Sequence, residues 1–137
     1  MRKLPDWYER LCVEFHKFDG SPWIWGESDC AYFVEASLRA MFGEHVDFMG
    51  TYRGAYHSRL TAAARMIGHR HYTMREFARD KLERLGAKPV HPLAAPVGSS
   101  GVADDSTVCG RFPAGFLARK ERGRFQKTTA VAAWSFD

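Results

Sequence analysis

No stretch of this sequence approaches the roughly 18–20 consecutive apolar residues that a membrane-spanning helix requires. Its opening, Met1 to Asp6, lacks the apolar middle of a signal peptide, so neither a membrane span nor export by that route is expected. Cysteine is scarce: Cys12, Cys30 and Cys109 are far apart and form no C-x-x-C pair. An odd, scattered set argues against a disulfide framework and for reduced thiols. Three thiols also fall short of the four that a structural zinc or iron–sulfur site usually takes, so neither metal nor cofactor is expected. Low-complexity tracts and internal repeats are absent, which excludes general disorder and repeat architectures. Histidine is confined to the first two-thirds, none following His91.

What is present is an ordinary globular balance: 137 residues, 45% hydrophobic and 26% charged, with aromatics at 14%. That fits one domain over residues 1–137, long enough to bury roughly two-thirds of its unfolded surface. A net charge of +4 is mild, which makes nucleic acid an unlikely partner.

Periodicity places four helices before a run of short strands. Trp7, Leu11 and Phe15 form a stripe in a helix from about Asp6 to Lys17. Cys30 to Phe42 is the second, with Cys30, Val34, Leu38 and Met41 on one face, Ser28 or Asp29 as cap and Gly43 as stop. Phe33 and Ala40 form a neighbouring face interrupted by Ser37. Residues 44–57 read as an irregular connection anchored by Phe48, Tyr52 and Tyr56. A short helix from Ser58 to Ile67 presents Leu60, Ala63, Ala64 and Ile67 as its apolar face, closed by Gly68. Thr73 to Glu76 reads as a capping box opening a helix that turns Met74, Phe77, Ala78, Leu82 and Leu85 inward, stopped by Gly86. Beyond Gly86, glycines and prolines punctuate short strands around Val102-Ala103, Thr107–Cys109, Phe116–Ala118, Arg124–Gln126 and Val131–Trp134. Helices first and an antiparallel sheet after is an α+β arrangement.

Cys30 directly follows two capping residues. Backbone donors and the helix dipole favour an anion there, which predicts a lowered thiol pKa and a nucleophilic sulfur. Trp23 and Trp25 would shape the floor of a cleft beside it. The plainer reading is a small buried residue on a core-facing helix.

Trp25-Gly26-Glu27-Ser28-Asp29-Cys30-Ala31-Tyr32-Phe33-Val34 resembles the W-G-x-x-D-C-x-x-F-V signature at the nucleophile of NlpC-type cell-wall cysteine peptidases. The whole chain is most similar to small proteins of that type from tailed-phage and prophage tail gene clusters. The shared pattern runs from Pro22 to Cys30, through Tyr52-Arg53 and Gly98 to Ala103, to the final Ala133-Trp134. The resemblance implies a papain-like fold, a place in the virion tail after assembly in the host cytoplasm, and partners among hub or tail-tip proteins. It also implies a histidine on the strand after a Gly-Asp pair, to take the thiol proton. Here Gly98-Ser99 stands for Gly-Asp, and Pro113 falls where the histidine is expected. His57 and His91 remain as residues that folding would have to bring to Cys30.

His69-Arg70-His71 reads as a solvated loop and not as a metal site. Arg111, Arg119, Lys120, Arg122, Arg124 and Lys127 stand against the single acid Glu121 and alternate with Phe112, Phe116 and Phe125. That pattern is either an ordinary solvated hairpin or a basic contact face for an acidic partner. The expectation is thus a tail assembly protein on a degenerate NlpC-type peptidase fold, with Trp23, Trp25, Asp29 and the basic strand residues as its binding groups. The alternative is an active hydrolase of peptidoglycan peptide bonds with Cys30 as nucleophile.

Overall fold

The computed structural model describes residues 1–120 and 123–137; Arg122, one of the expected contact residues, lies outside them. Four helices, α1 (Trp7–Phe18), α2 (Cys30–Phe42), α3 (Arg59–Gly68) and α4 (Met74–Arg84), precede six strands: β1 (Lys88–Val90), β2 (Ser100–Ala103), β3 (Val108–Phe112), β4 (Gly115–Arg119), β5 (Phe125–Thr128) and β6 (Ala130–Ser135). The strands form one antiparallel sheet in the order β1-β6-β2-β3-β4-β5, so the α+β class is as expected. In the middle of the sheet, Ser100 of β2 pairs with Trp134 on one side and Gly110 on the other.

The α1 stripe buries Leu11 and packs Trp7 and Phe15 on the core. In α2 both expected faces go inward. Phe33, Val34, Leu38, Ala40 and Met41 are buried, and so are Ser37 and Glu35. Ser37 tolerates this because its hydroxyl donates to the Phe33 carbonyl one turn back, at 2.8 Å. The sheet face under α2 supplies Val102, Val108, Phe112, Ala132 and Trp134 to the same core. At about 1.5–3 kcal/mol per large apolar side chain, this packing of α2 and α4 on the sheet is a major stabilising contribution. The opposite sheet face carries a smaller cluster of Cys109, Phe116, Ala118, Ala130 and Ala133, partly covered by Ala95 after a 3-10 turn at Pro92–Ala94.

Three local expectations need correction. First, α3 turns its expected apolar face outward: Leu60 is 80% exposed and Ile67 60%, while Ala62 and Met66 touch the core and none of its residues is buried. Second, the capping box belongs to α3, where Ser58 and Thr61 serve each other. At α4, Thr73 accepts from the Glu76 amide at 3.1 Å, but the Glu76 side chain accepts from Tyr72, one residue further back. Third, β1 was hidden by Pro89. That residue is tolerated because β1 is an edge strand paired only with β6.

Candidate functional site

The segment leading to Cys30 is not helical or extended, so its backbone polar groups need other partners. Arg119, fully buried on β4, supplies many of them. Its guanidinium donates to the carbonyls of Ser21 (2.7 Å), Pro22, Ser28 and Gly123 (2.9 Å each) and Phe18, and to the Ser21 hydroxyl (3.0 Å). Burial lowers the Arg119 pKa from its ordinary value, and Asp19 and Asp29 act against that. Ser28 tightens the loop by donating to the Pro22 carbonyl at 2.6 Å and accepting from Ile24. Gly26 has φ +79°, and a Cβ there would stand 2.1 Å from the Tyr56 carbonyl oxygen, so no other residue fits.

Asp29 then caps α2. One carboxylate oxygen accepts from the Tyr32 amide at 3.1 Å; the other accepts from the Gly26 amide at 3.0 Å and the Tyr56 hydroxyl at 2.6 Å. Burial, together with the adjacent Asp29 charge, holds the Tyr56 phenol protonated well above its usual range. Asp29 was expected as a binding residue, but its acceptors are already filled from within.

Cys30 opens α2 and faces a cavity of about 50 Å³ whose walls include Trp25, Met49, Tyr52, Tyr56, Met66 and Phe77. The residue keeps some accessible surface, but its sulfur is turned inward. The expected lowering of its pKa is reversed. Burial, with the Asp29 charge second, pushes the thiol up to about 12, against hydrogen bonds from the backbone of Val108, Ala31 and Cys30 itself. A helix start favours the thiolate, but removing the sulfur from water costs it more. The group beside the sulfur on the sheet is the Val108 backbone. Pro113, expected at the histidine's place, sits exposed in the β3–β4 turn. Of the expected cleft tryptophans, Trp25 lines the cavity. Trp23 does not: it packs edge-on against Trp25 at 4.8 Å with its indole N–H buried and unbonded.

No histidine lines this cavity among the described residues. His57 and His91 are exposed, and His91 Nδ1 accepts from the Leu93 amide at 3.2 Å. His71 is buried, not a loop residue in solvent as expected. Its Nε2 lies 2.9 Å from Asp80 and its Nδ1 2.6 Å from the Tyr52 hydroxyl, so both ring nitrogens are occupied. Arg84 first, and His71 after it, hold the Asp80 carboxyl below its usual range, while burial and Asp80 push the Tyr52 phenol up to about 12. His69 faces Thr51, and no cluster of three metal-binding side chains occurs among the described residues.

The expected basic face is broken up. Arg119 is interior, and Lys120 is paired with Asp105. Arg124 is exposed. Arg111 and Lys127 both border an open groove with Phe116, Leu93 and Val131, where the Arg111 guanidinium stands 6.0 Å from the Phe116 ring centre; pairing with Leu117 brings Lys127 to it from the other side of the sheet edge. Sequence reasoning missed Glu35, a buried carboxylate accepting from the Met49 amide (2.8 Å) and from Arg53 (2.6 Å), which ties α2 to the 44–57 connection. A single acid in the middle of a mostly apolar helix was its only signal.

The geometry defines an α+β domain in which a cysteine opens a helix against an antiparallel sheet, inside an aromatic and methionine-lined cavity. Residues 2–136 match the family model described as Domain of unknown function (DUF6950), and with nearly the whole chain covered, the protein belongs to that family. No curated protein and no solved structure matches the chain. No helix among the described residues is long and apolar enough to cross a membrane.

Proposed function

We propose that this chain is a non-hydrolytic domain of the NlpC-type, papain-like kind that serves in a phage or prophage tail, at the tip or hub, by docking against other tail proteins. The observation behind this reading is the setting of Cys30: a protonated thiol in an apolar cavity, with no imidazole among the described residues that line it. A cysteine nucleophile needs a base within reach to become a thiolate at neutral pH. Docking is supported by the outer groove, where Arg111 and Lys127 flank apolar side chains and suit an acidic partner surface. The protein would assemble in the host cytoplasm and leave with the virion.

Co-expression with the hub and tail-tip proteins of its own gene cluster tests this. The chain should co-purify with at least one of them and be detected in assembled tails; tails that form normally without it would sink the reading. The rival is a cysteine hydrolase of peptidoglycan peptide bonds. It draws support from the place of Cys30 at the first turn of α2, where backbone donors stabilise a thiolate once water enters. Muropeptide release from purified murein that disappears in Cys30→Ala would replace our reading with this one.

A further inference from the structure

The strands are not the only basic part of the chain. Between Asp47 and Glu76 there is no acidic residue, while Arg53, Arg59, Arg65, Arg70 and Arg75 all fall there. Arg53 is neutralised by Glu35 and Asp47. The other four are exposed and make no ion pair among the described residues. This segment contains α3, whose Leu60, Ala63, Ala64 and Ile67 recur at helical spacing on its outer side. Arg59 lies on one flank of that ridge, whereas Arg65 lies on the far side of the helix and donates to the Ala55 carbonyl at 3.0 Å; the exposed Arg70 and Tyr72 follow just beyond the helix.

We propose that the outer face of α3 is a docking surface for an acidic, amphipathic segment of a different protein. Apolar side chains of the partner cover Leu60 and Ile67, and its carboxylates meet Arg59 and Arg70. The charge selects the occupant. A second copy of this chain set symmetrically on α3 would bring arginine against arginine with no acid to compensate. A phosphate backbone would satisfy the arginines and leave the aliphatic ridge in water. A lipid surface would need more than two large aliphatics on one short helix, because stable anchoring takes more apolar area or a second signal. This surface is separate from the Arg111–Lys127 groove and does not depend on the tail reading.

The test is a titration of the full isotope-labelled chain with a synthetic helical peptide bearing a leucine–isoleucine stripe flanked by glutamates. Its counterpart has lysine for glutamate. Saturable chemical-shift changes centred on residues 59–70 are expected with the acidic peptide and not with the basic one. Affinity should fall about tenfold or more in Leu60→Ser/Ile67→Ser and in Arg59→Glu/Arg70→Glu, and should weaken with salt. All four positions are exposed, so these variants fold, and unchanged spectra elsewhere verify that. Absence of saturable shifts in that region, or equal binding by the serine variant, overturns the proposal. So does preferential binding of a DNA duplex or of phosphatidylserine vesicles insensitive to Leu60→Ser. A concentration-dependent dimer in sedimentation that Leu60→Ser abolishes would reassign the face to a second copy.

Discussion

Two segments border the Cys30 cavity, and they are held in opposite ways. The loop from Asp19 to Asp29 has no regular structure, yet its carbonyls, with that of Phe18 just before it, converge on Arg119 and its last residue is bonded three times over. Helix α3 is regular and well capped, yet only Ala62 and Met66 tie its apolar surface to the core. Regularity satisfies a helix's own backbone and says nothing about how firmly it is attached. An irregular loop must find outside partners for its polar groups, and a buried guanidinium that supplies them makes the loop rigid.

Substitutions should separate the two segments by size of effect. Arg119→Met removes the shared donor and strands several buried carbonyls, with an expected loss of about 3–5 kcal/mol in urea unfolding. Arg119→Lys should recover only part, since an ammonium lacks the guanidinium fork. A loss below about 1 kcal/mol would erase the contrast drawn here. Asp29→Ala removes the α2 cap together with the Gly26 and Tyr56 bonds and should cost about 2–3 kcal/mol by the same measurement.

Cys30 provides a pH test. Its folded pKa of about 12 stands above the unfolded value near 8.5, so the native state holds the proton more tightly. The associated stability is complete below about pH 8.5 and is lost as pH rises toward 12, by about 1–2 kcal/mol at pH 10. Stability measured against pH should fall less steeply in Cys30→Ala on the alkaline side; an identical slope would mean that the thiol is not protected. At the small end, Met66→Ala in the inner face of α3 should cost about 1 kcal/mol, and Leu60→Ser should stay within about 0.5 kcal/mol of the parent. A larger effect for Leu60 would place the outer face of α3 in the fold and not at its surface.

Much of the fold could be read from local pattern. The periods of α1, α2 and α4, the glycine stops and the strand segments all depend on neighbours in sequence. The failures share one cause. Both Leu60/Ala63/Ala64/Ile67 and Ala62/Met66 are apolar sets on α3, and periodicity cannot say which of two such faces meets the core. Arg119 looked like one more base on an alternating strand because all its acceptors but the Gly123 carbonyl lie some 91–101 residues earlier. Cys30 and Trp25 of the motif border a cavity, while the state of the thiol depended on burial, which the motif does not encode. His71 gave no local sign of its pairing with Asp80, nine residues on.

The reach of Arg119 also dictates an order of events during synthesis. The Phe18–Ser28 loop leaves the ribosome roughly 100 residues before its pinning arginine and meets it only after β4 has joined the sheet. Contacts of such sequence separation form late, because the loop-closure entropy must be overcome first. Until then α2 can form, but the approach to Cys30 has no defined path. A nascent or truncated chain ending before β4 already holds every residue that lines the Cys30 cavity, but lacks the guanidinium that fixes the loop leading to it.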